Sequence, residues 1–239
     1  MIYPAGFFAR FLAALYLFCT WGLAVGGSYE APLPAQLSTD PDLCAYVPCK
    51  DVLPGADSFS HRMGKPAYVE AYQSRKGDHG GKEDHGEKDD RKLIGYVFLS
   101  TDIVDIAAHS GKPVVTLIGM DTKGIITGVR VLRHSEPILL LGIPELELTK
   151  FVNQYLGKFV GSKIEVGAGR PDQGIIGLDA ITGATVTVIA ENQVVLRSGL
   201  AVAKQVGIIE PTVRPQAKFS PIEEKLDWNA LIKNGSVQR

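Results

Sequence analysis

The run from Asp179 to Thr185, D-A-I-T-G-A-T, is the part of the sequence best suited to a chemical role. Gly183 and Ala184 place almost no side-chain bulk before the Thr185 hydroxyl, and Gly183 also tolerates the positive φ of a sharp turn. A hydroxyl left open in this way can be esterified by a phosphate group, because the active site of another enzyme can close around it. The residues of this run therefore permit modification of the Thr185 hydroxyl.

The residues after this run repeat with the spacing of an α-helix. Positions 188, 192, 195, 199, 202 and 206 form one stripe, and Gly207 suits the C-terminal cap. Thr185 is therefore expected near a helix N-terminus. Unpaired amide N–H groups and the positive end of the helix dipole lie there, so a phosphate on Thr185 would be stabilised.

Threonine near a helix start also has an ordinary structural use. A threonine at the N-cap position accepts a hydrogen bond from a backbone amide and needs no cofactor. Thr182 and Thr185 are both candidates for that role, and short motifs recur by chance. The run alone leaves the two interpretations open, so its surroundings have to decide.

The run has the form D-x-x-[ST]-G-A-[ST] and resembles the flavin attachment site of FMN-binding domains. These domains occur in sodium-pumping NADH:quinone reductase, in Rnf complexes and in the NosR/NirI family. The resemblance implies that a flavin transferase esterifies Thr185 with FMN. It also implies that Asp179, Thr182, Gly183 and Ala184 belong to the cofactor-binding segment.

A second segment, R-H-S-E-P-I-L-L-L-G-I-P at 133–144, lies where this family has an H-x-E-T-P-G-L-G-like segment that lines the isoalloxazine. Glu136, Pro137 and Gly142 fit that segment loosely, whereas its threonine and first glycine are missing. The resemblance implies that Glu136 and Pro137 wall the flavin ring. Across residues 93–209 the sequence is most similar to the periplasmic flavin domain of the NosR family, whose members nitrous oxide reductase needs for its maturation and activity.

A tethered flavin exchanges electrons without leaving the protein, which suits a carrier better than a substrate-transforming enzyme. The resemblance thus implies an electron-transfer flavoprotein of the periplasm, at the inner membrane, that supports the activity, maturation and expression of nitrous oxide reductase. Its implied partners are a flavin transferase, membrane-bound redox proteins and nitrous oxide reductase. No catalytic or metal-binding residue is assigned. The alternative is a flavin-free interaction or regulatory module that acts in assembly of the reductase or in expression of its genes.

Composition bears on compartment and partners. The net charge of −1 gives no electrostatic reason to expect nucleic-acid binding, so any effect on transcription would be indirect.

Residues 1–27 carry Arg10 before a long apolar run and indicate a signal peptide or membrane anchor, with cleavage after Gly26 favoured. In an exported chain Cys44 and Cys49 either close a small disulfide loop or stay as buried thiols.

The pattern of strands and helices predicts an α+β fold, a largely antiparallel sheet with packed helices of the FMN-binding type. Residues 28–66 are expected to form an N-terminal extension, 67–209 the FMN-binding domain, and 210–239 a tail with a short helix after a capping box at 220–223. Residues 74–92 lack apolar side chains and are expected to form a charged loop insertion. That composition explains the Asp-His pairs at 78–79 and 84–85 better than a metal site does.

Overall fold

The computed structural model describes residues 33–74, 91–211 and 227–237. Its central sheet has five strands, and each strand pairs in antiparallel fashion with its neighbour in the chain. The strands are β1 (Ser58–Phe59), β2 (Val69–Ser74), β3 (Arg91–Leu99), β4 (Val115–Asp121) and β5 (Ile126–Arg133). The predicted α+β class with a largely antiparallel sheet is therefore confirmed.

Six α-helices and a second, smaller sheet accompany these strands in the described residues. The helices are α1 (Leu43–Tyr46), α2 (Cys49–Val52), α3 (Pro137–Leu141), α4 (Glu145–Asn153), α5 (Thr185–Gln205) and α6 (Trp228–Lys233). Strands β6 (Lys163–Val166) and β7 (Ile175–Leu178) run parallel and lead into α5. The long helix α5 therefore begins after a strand and a short loop.

One face of the central sheet packs against α4 and α5. The buried cluster there includes Phe98, Ile118, Met120, Phe151, Tyr155, Val188, Val195 and Val202. Four members of the predicted stripe on α5, at positions 188, 195, 199 and 202, are buried, as its spacing required. At the C-terminal end Gly207 takes a φ of 77°, and the amide of Ile208 donates to the carbonyl of Ala203 over 2.8 Å.

The opposite face of the sheet is covered by the segment before β1. Leu43, Val47, Cys49, Val52 and Leu53 form a second buried cluster with Val69, Ala71, Val97, Leu99 and Leu117 of the strands. Side chains of β3 alternate between the clusters, because successive residues of a strand point to opposite faces. Both faces are covered, which explains the unbroken apolar run at the end of β3.

A disulfide bond joins Cys44 and Cys49, at the turn between α1 and α2. Of the two possibilities left open by the sequence, the closed loop is therefore the one observed. Cys49 is 2% exposed and belongs to the second cluster, so the bond ties this turn to the layer that covers the sheet.

Helix α2 approaches the sheet so closely that glycines are required beneath it. Gly119 and Gly128 lie opposite each other on β4 and β5. A Cβ atom at Gly128 would lie 2.5 Å from Cα of Val52, and one at Gly119 would lie 2.1 Å from the Val52 carbonyl oxygen. The Thr127 hydroxyl donates to that same oxygen over 2.7 Å, which fixes the helix in place.

Most predicted elements are observed, with shifts of a few residues at their ends. The hairpin turn at 121–124, the strand at 163–166 and the helix that follows Pro144 are all present. The short helices α1 to α3 and strands β1 and β7 were not expected. Of the predicted loop at 74–92, the end residues Ser74, Arg91 and Lys92 belong to strands β2 and β3 instead. The rest of that loop with its Asp-His pairs, the segment at 1–27 and the capping box at 220–223 lie outside the described residues. Among the described helices, only α5 is long and apolar enough to cross a membrane, and it packs in the core of the fold.

The close contact between α2 and the sheet predicts the effect of a single added methyl group. Gly128→Ala should lower the free energy of unfolding by about 1–3 kcal/mol, because backbone rather than a flexible side chain blocks the new Cβ atom. The expected result is a fall in Tm of several degrees, measured by circular dichroism. Gly142→Ala is the control, since the atom nearest to its new Cβ would be 3.8 Å away, and an equal loss in both variants would contradict the packing argument.

Candidate functional site

Residues 179–184, called here the acceptor loop, join β7 to α5. The loop has both buried and exposed residues. It buries Ile181 and Ala184 and exposes Asp179, Thr182 and Gly183. The amide of Ala184 donates to the Ile181 carbonyl over 3.0 Å, which closes a turn. Gly183 has a φ of 85° at this turn, as the sequence predicted for a sharp bend. The loop is thus anchored by apolar side chains while its polar groups face outward.

Thr185 is the first residue of α5, and it is exposed. The N-cap is Ala184, no side chain caps the helix start, and no acidic residue lies in its first turn. The interpretation of Thr182 or Thr185 as an N-cap is therefore wrong. The amides of the first turn keep their capacity to bind an anion, and the helix dipole adds to it. These residues fit a phosphate esterified to the Thr185 hydroxyl.

Apolar side chains flank Thr185 on the outward face of α5. Val186 is 55% exposed and Ile189 is 44% exposed. Ile189 lies one helical turn after Thr185, so both belong to the same surface. Large exposed apolar residues on a helix that packs against the core provide a surface on which a planar aromatic ring can pack. The site therefore offers both an anion-binding helix start and an apolar surface beside it.

Gln154, the C-cap residue of α4, holds the first residue of the acceptor loop. Its side-chain Nε2 donates to the Asp179 carbonyl over 3.1 Å, and its Oε1 accepts from the Asp179 amide over 2.8 Å. Both backbone polar groups of Asp179 are therefore satisfied by one side chain. The carboxyl group of Asp179 stays exposed.

Glu136 is completely buried and connects three parts of the chain. Its oxygens accept hydrogen bonds from the amides of His109 and Ser110, over 3.2 and 3.0 Å, and from the Thr187 hydroxyl. Burial alone would raise the pKa of this carboxyl, but the bonds from Thr187 and from the 109–110 loop outweigh burial and lower it. Glu136 is therefore a carboxylate in the folded protein, and it fixes the first turn of α5.

Pro137 follows as the first residue of α3 and is exposed. The segment 136–143 lies beside the acceptor loop, since a Cβ atom added to Gly183 would be 3.6 Å from Cδ1 of Ile143. The two predicted segments, 133–144 and 179–185, are thus neighbours in space. Glu136 lies beneath the surface and Pro137 at the surface. That these two residues wall the flavin ring stays a prediction.

Glu191 is a second buried carboxyl, and it lies on the inward face of α5. Its Oε1 accepts from the Thr116 hydroxyl over 2.8 Å, and Oε2 has no hydrogen-bond partner among the described residues. Burial raises the pKa of Glu191 to about 7, and the bond from Thr116 opposes this rise in part. The negative charge of Glu191 in turn adds to the raised pKa of the neighbouring Tyr155, for which burial is the larger cause.

Three residues of this region were not singled out from the sequence. Glu191 could have been noticed, since it lies three residues after Val188 and four before Val195 on a face expected to be buried. Thr187 lies on that same face. Gln154 left no signal, because its partner is 25 residues away in the chain. No group of metal-binding side chains occurs in the part of the chain that the structure describes.

Comparison with known proteins gives a family for part of the chain. Residues 110–197 match the FMN-binding domain family, and they include α3, α4, the acceptor loop and the first part of α5. The chain therefore contains an FMN-binding domain, and FMN is the cofactor that this class of domain binds.

Similar proteins point to one group within this class. The chain is 36% identical over 152 residues to the regulatory protein NosR of Stutzerimonas stutzeri. The aligned region is 62% of this chain and 21% of that relative. The chain is also 31% identical over 123 residues to the protein NirI of Paracoccus denitrificans. That aligned region is 52% of this chain and 17% of NirI. Its FMN-binding domain is of the NosR/NirI type.

A further relative is similar over a shorter stretch of the chain. One component of the ion-translocating oxidoreductase complex of Aliivibrio fischeri is 38% identical over 80 residues, which is 33% of this chain and 37% of that component. The chain spans only about a fifth of the length of the NosR and NirI proteins it matches. The similarity therefore identifies the domain and not the whole of those proteins.

The Thr187 to Glu136 bond can be tested without touching the Thr185 hydroxyl. Thr187→Val keeps the side-chain shape and removes one donor to a buried carboxylate, so the free energy of unfolding should fall by about 1.5–3 kcal/mol. Because the pKa of Glu136 is lowered by folding, its stabilising effect is lost as pH falls. The difference between parent and variant in urea unfolding should therefore be larger at pH 7 than at pH 3. The control is Thr149→Val, at an exposed position of α4. It should leave the free energy of unfolding unchanged both at pH 7 and at pH 3.

The raised pKa of Glu191 predicts the opposite pH dependence. Between about pH 4.5 and 7 the folded chain binds a proton that the unfolded chain has released, so stability falls as pH rises through this range. Glu191→Gln mimics the protonated form and should be more stable than the parent at pH 8, by up to about 3 kcal/mol, and similar to it at pH 4. Glu165→Gln, at an exposed position, is the control. If the free energies of unfolding of the parent and of Glu191→Gln were equal at every pH, the raised pKa of Glu191 would be contradicted.

Proposed function

We propose that this chain carries FMN in phosphodiester linkage to Thr185 and acts as an electron-transfer domain. The observation that carries the proposal is the placement of Thr185 as an exposed first residue of α5 with no side-chain cap at that helix start. A threonine that serves only to begin a helix would be expected at the N-cap, with its oxygen bonded to a backbone amide. The position instead leaves the hydroxyl accessible and the amides open to phosphate.

The chain's own residues have three separate tasks in this proposal. The first-turn amides of α5 bind the phosphate, Val186 and Ile189 support the apolar part of the cofactor, and Glu136 holds the helix start in place. When bound, FMN would supply reversible electron transfer. Attachment through its phosphate keeps it on the protein during repeated turnover, which is the property that a carrier requires.

We further propose that the domain works in the periplasm, next to the inner membrane, and supports nitrous oxide reduction. The apolar segment within residues 1–27 and the disulfide between Cys44 and Cys49 support export, because disulfides persist in oxidising compartments. The similarity to NosR supports the pathway. The proposed partners are a flavin transferase, membrane-bound redox proteins and nitrous oxide reductase.

Attachment can be tested by co-expressing the full chain with a flavin transferase and measuring its intact mass. The parent should gain the mass of one FMN less water, and Thr185→Val should gain nothing, because the substitution removes the only oxygen proposed to bond to phosphorus. Thr185→Ser should load, and Thr182→Val should also load, since Thr182 is not the acceptor. Reversible bleaching and return of the flavin absorbance on reduction and reoxidation should accompany loading.

Two outcomes would reject the proposal. A parent chain that stays unmodified while a known substrate of the same transferase is loaded would favour the flavin-free interaction module instead. FMN that remains covalently attached to Thr185→Val after denaturation would place the attachment at a different residue.

A further inference from the structure

Gln154 differs from the other polar residues around the acceptor loop in what it binds. Its amide group pairs with the backbone N–H and C=O of Asp179, much as a neighbouring β-strand would. Asp179 lies directly after β7, where the pairing of that strand with β6 has ended. The side chain therefore continues the backbone pairing by one residue, into the segment that leads to Thr185.

The position of Gln154 is itself fixed from the core. The next residue, Tyr155, is 0% exposed, and its hydroxyl donates to Oδ1 of Asn192 on α5 over 2.8 Å. The side-chain amide of Asn192 donates onward to the carbonyl of Ile164 in β6 over 3.1 Å. These bonds join the end of α4 to the helix that begins at Thr185. They fix the position of Gln154 relative to α5.

The contact with Gln154 holds a part of the acceptor loop that is not buried. The buried residues on either side, Leu178 and Ile181, hold the loop through apolar packing and through their carbonyls, which accept from the amides of Gly167 and Ala184, whereas Asp179 and Ala180 between them are exposed. A groove of about 280 Å³ opens beside them, lined also by Glu147, Lys150 and Phe151 of α4. An enzyme that acts on the loop meets a surface whose shape depends on how Asp179 is held.

We propose that Gln154 is the positioning residue that fixes the acceptor loop for flavin transfer to Thr185. This inference rests on the proposed function. In the transfer, the Thr185 oxygen bonds to the flavin-side phosphorus of a flavin dinucleotide. The bond from that phosphorus to the nucleoside monophosphate breaks, and the hydroxyl proton is released, with no change of oxidation state. Gln154 touches none of the reacting atoms; it presents the loop in one conformation, so the transferase does not have to select that conformation from many.

The test uses the full chain, a purified flavin transferase and flavin adenine dinucleotide. Gln154→Met keeps the length and bulk of the side chain but makes neither hydrogen bond to Asp179. We expect kcat/KM for FMN loading to fall about tenfold or more, which corresponds to the loss of two ordinary hydrogen bonds. Gln154 is partly exposed, so Tm should fall by no more than a few degrees, and loading should still reach completion at long times.

Two further variants separate positioning from general damage to the fold. Gln154→Glu can still accept from the Asp179 amide but cannot donate to its carbonyl, so its loading rate should lie below that of the parent. Gln173→Met makes the same chemical change at an exposed residue before β7 and should load at the parental rate. Amide exchange at Asp179 should become faster in Gln154→Met and stay unchanged in Gln173→Met.

The outcomes distinguish this inference from the proposed function. If the parent loads and Gln154→Met loads equally fast or faster, Gln154 does not position the loop, although FMN attachment to Thr185 stands. If both the parent and Gln154→Met stay unmodified while a known substrate is loaded, the proposed function fails and this inference fails with it. A Gln154→Met variant that loads about tenfold more slowly while it is still fully folded at the assay temperature supports the positioning role.

Discussion

The buried carboxylate of Glu136 sets the geometry on which the rest of the site depends. A charged group with no solvent exposure is unfavourable unless several donors surround it, and here the donors come from the 109–110 loop and from α5. Glu136 can therefore stay in place only when the loop, the segment after β5 and the first turn of α5 are all in position. Thr185 lies two residues before the bonded Thr187, so its place at the surface follows from an interaction in the interior.

Helix α5 divides its first two turns between these two environments. Thr185, Val186 and Ile189 face outward, whereas Thr187, Val188 and Glu191 face the core. This division depends on the rotation of the helix about its own axis, because a shift of the sequence by one residue along the helix would rotate every side chain by about 100°. The buried Glu136 to Thr187 contact opposes such a shift. The accessibility of Thr185 is thus a consequence of helical phase, and the small residues before it keep its approach open.

Much of this arrangement was predictable from the sequence, and the physical reasons for the misses are specific. Local patterns predicted β3 to β5, α4 and α5, because alternating or helical spacing of apolar residues reports which face of an element is buried. The helical spacing also predicted that α5 begins close to Thr185. Neither Glu136 as a buried anchor nor Gln154 as a partner of Asp179 could be predicted, since each contact joins residues far apart in the chain. Helices α1 and α2 have only four residues each and lack a full period to recognise.

The sheet has two buried faces, and the stretch of sequence that identifies the domain accounts for only part of them. Residues 110–197 contain β4 and β5, but β1 to β3 and the layer that packs over Gly119 and Gly128 come before them. Without α1, α2 and β3, the side chain of Leu117 would be exposed to water, and so would the sheet surface at Gly119 and Gly128. The stretch that the family pattern recognises is therefore shorter than the piece of chain that can fold cooperatively. Any exchange of this module between proteins has to carry the residues before the recognisable part along with it.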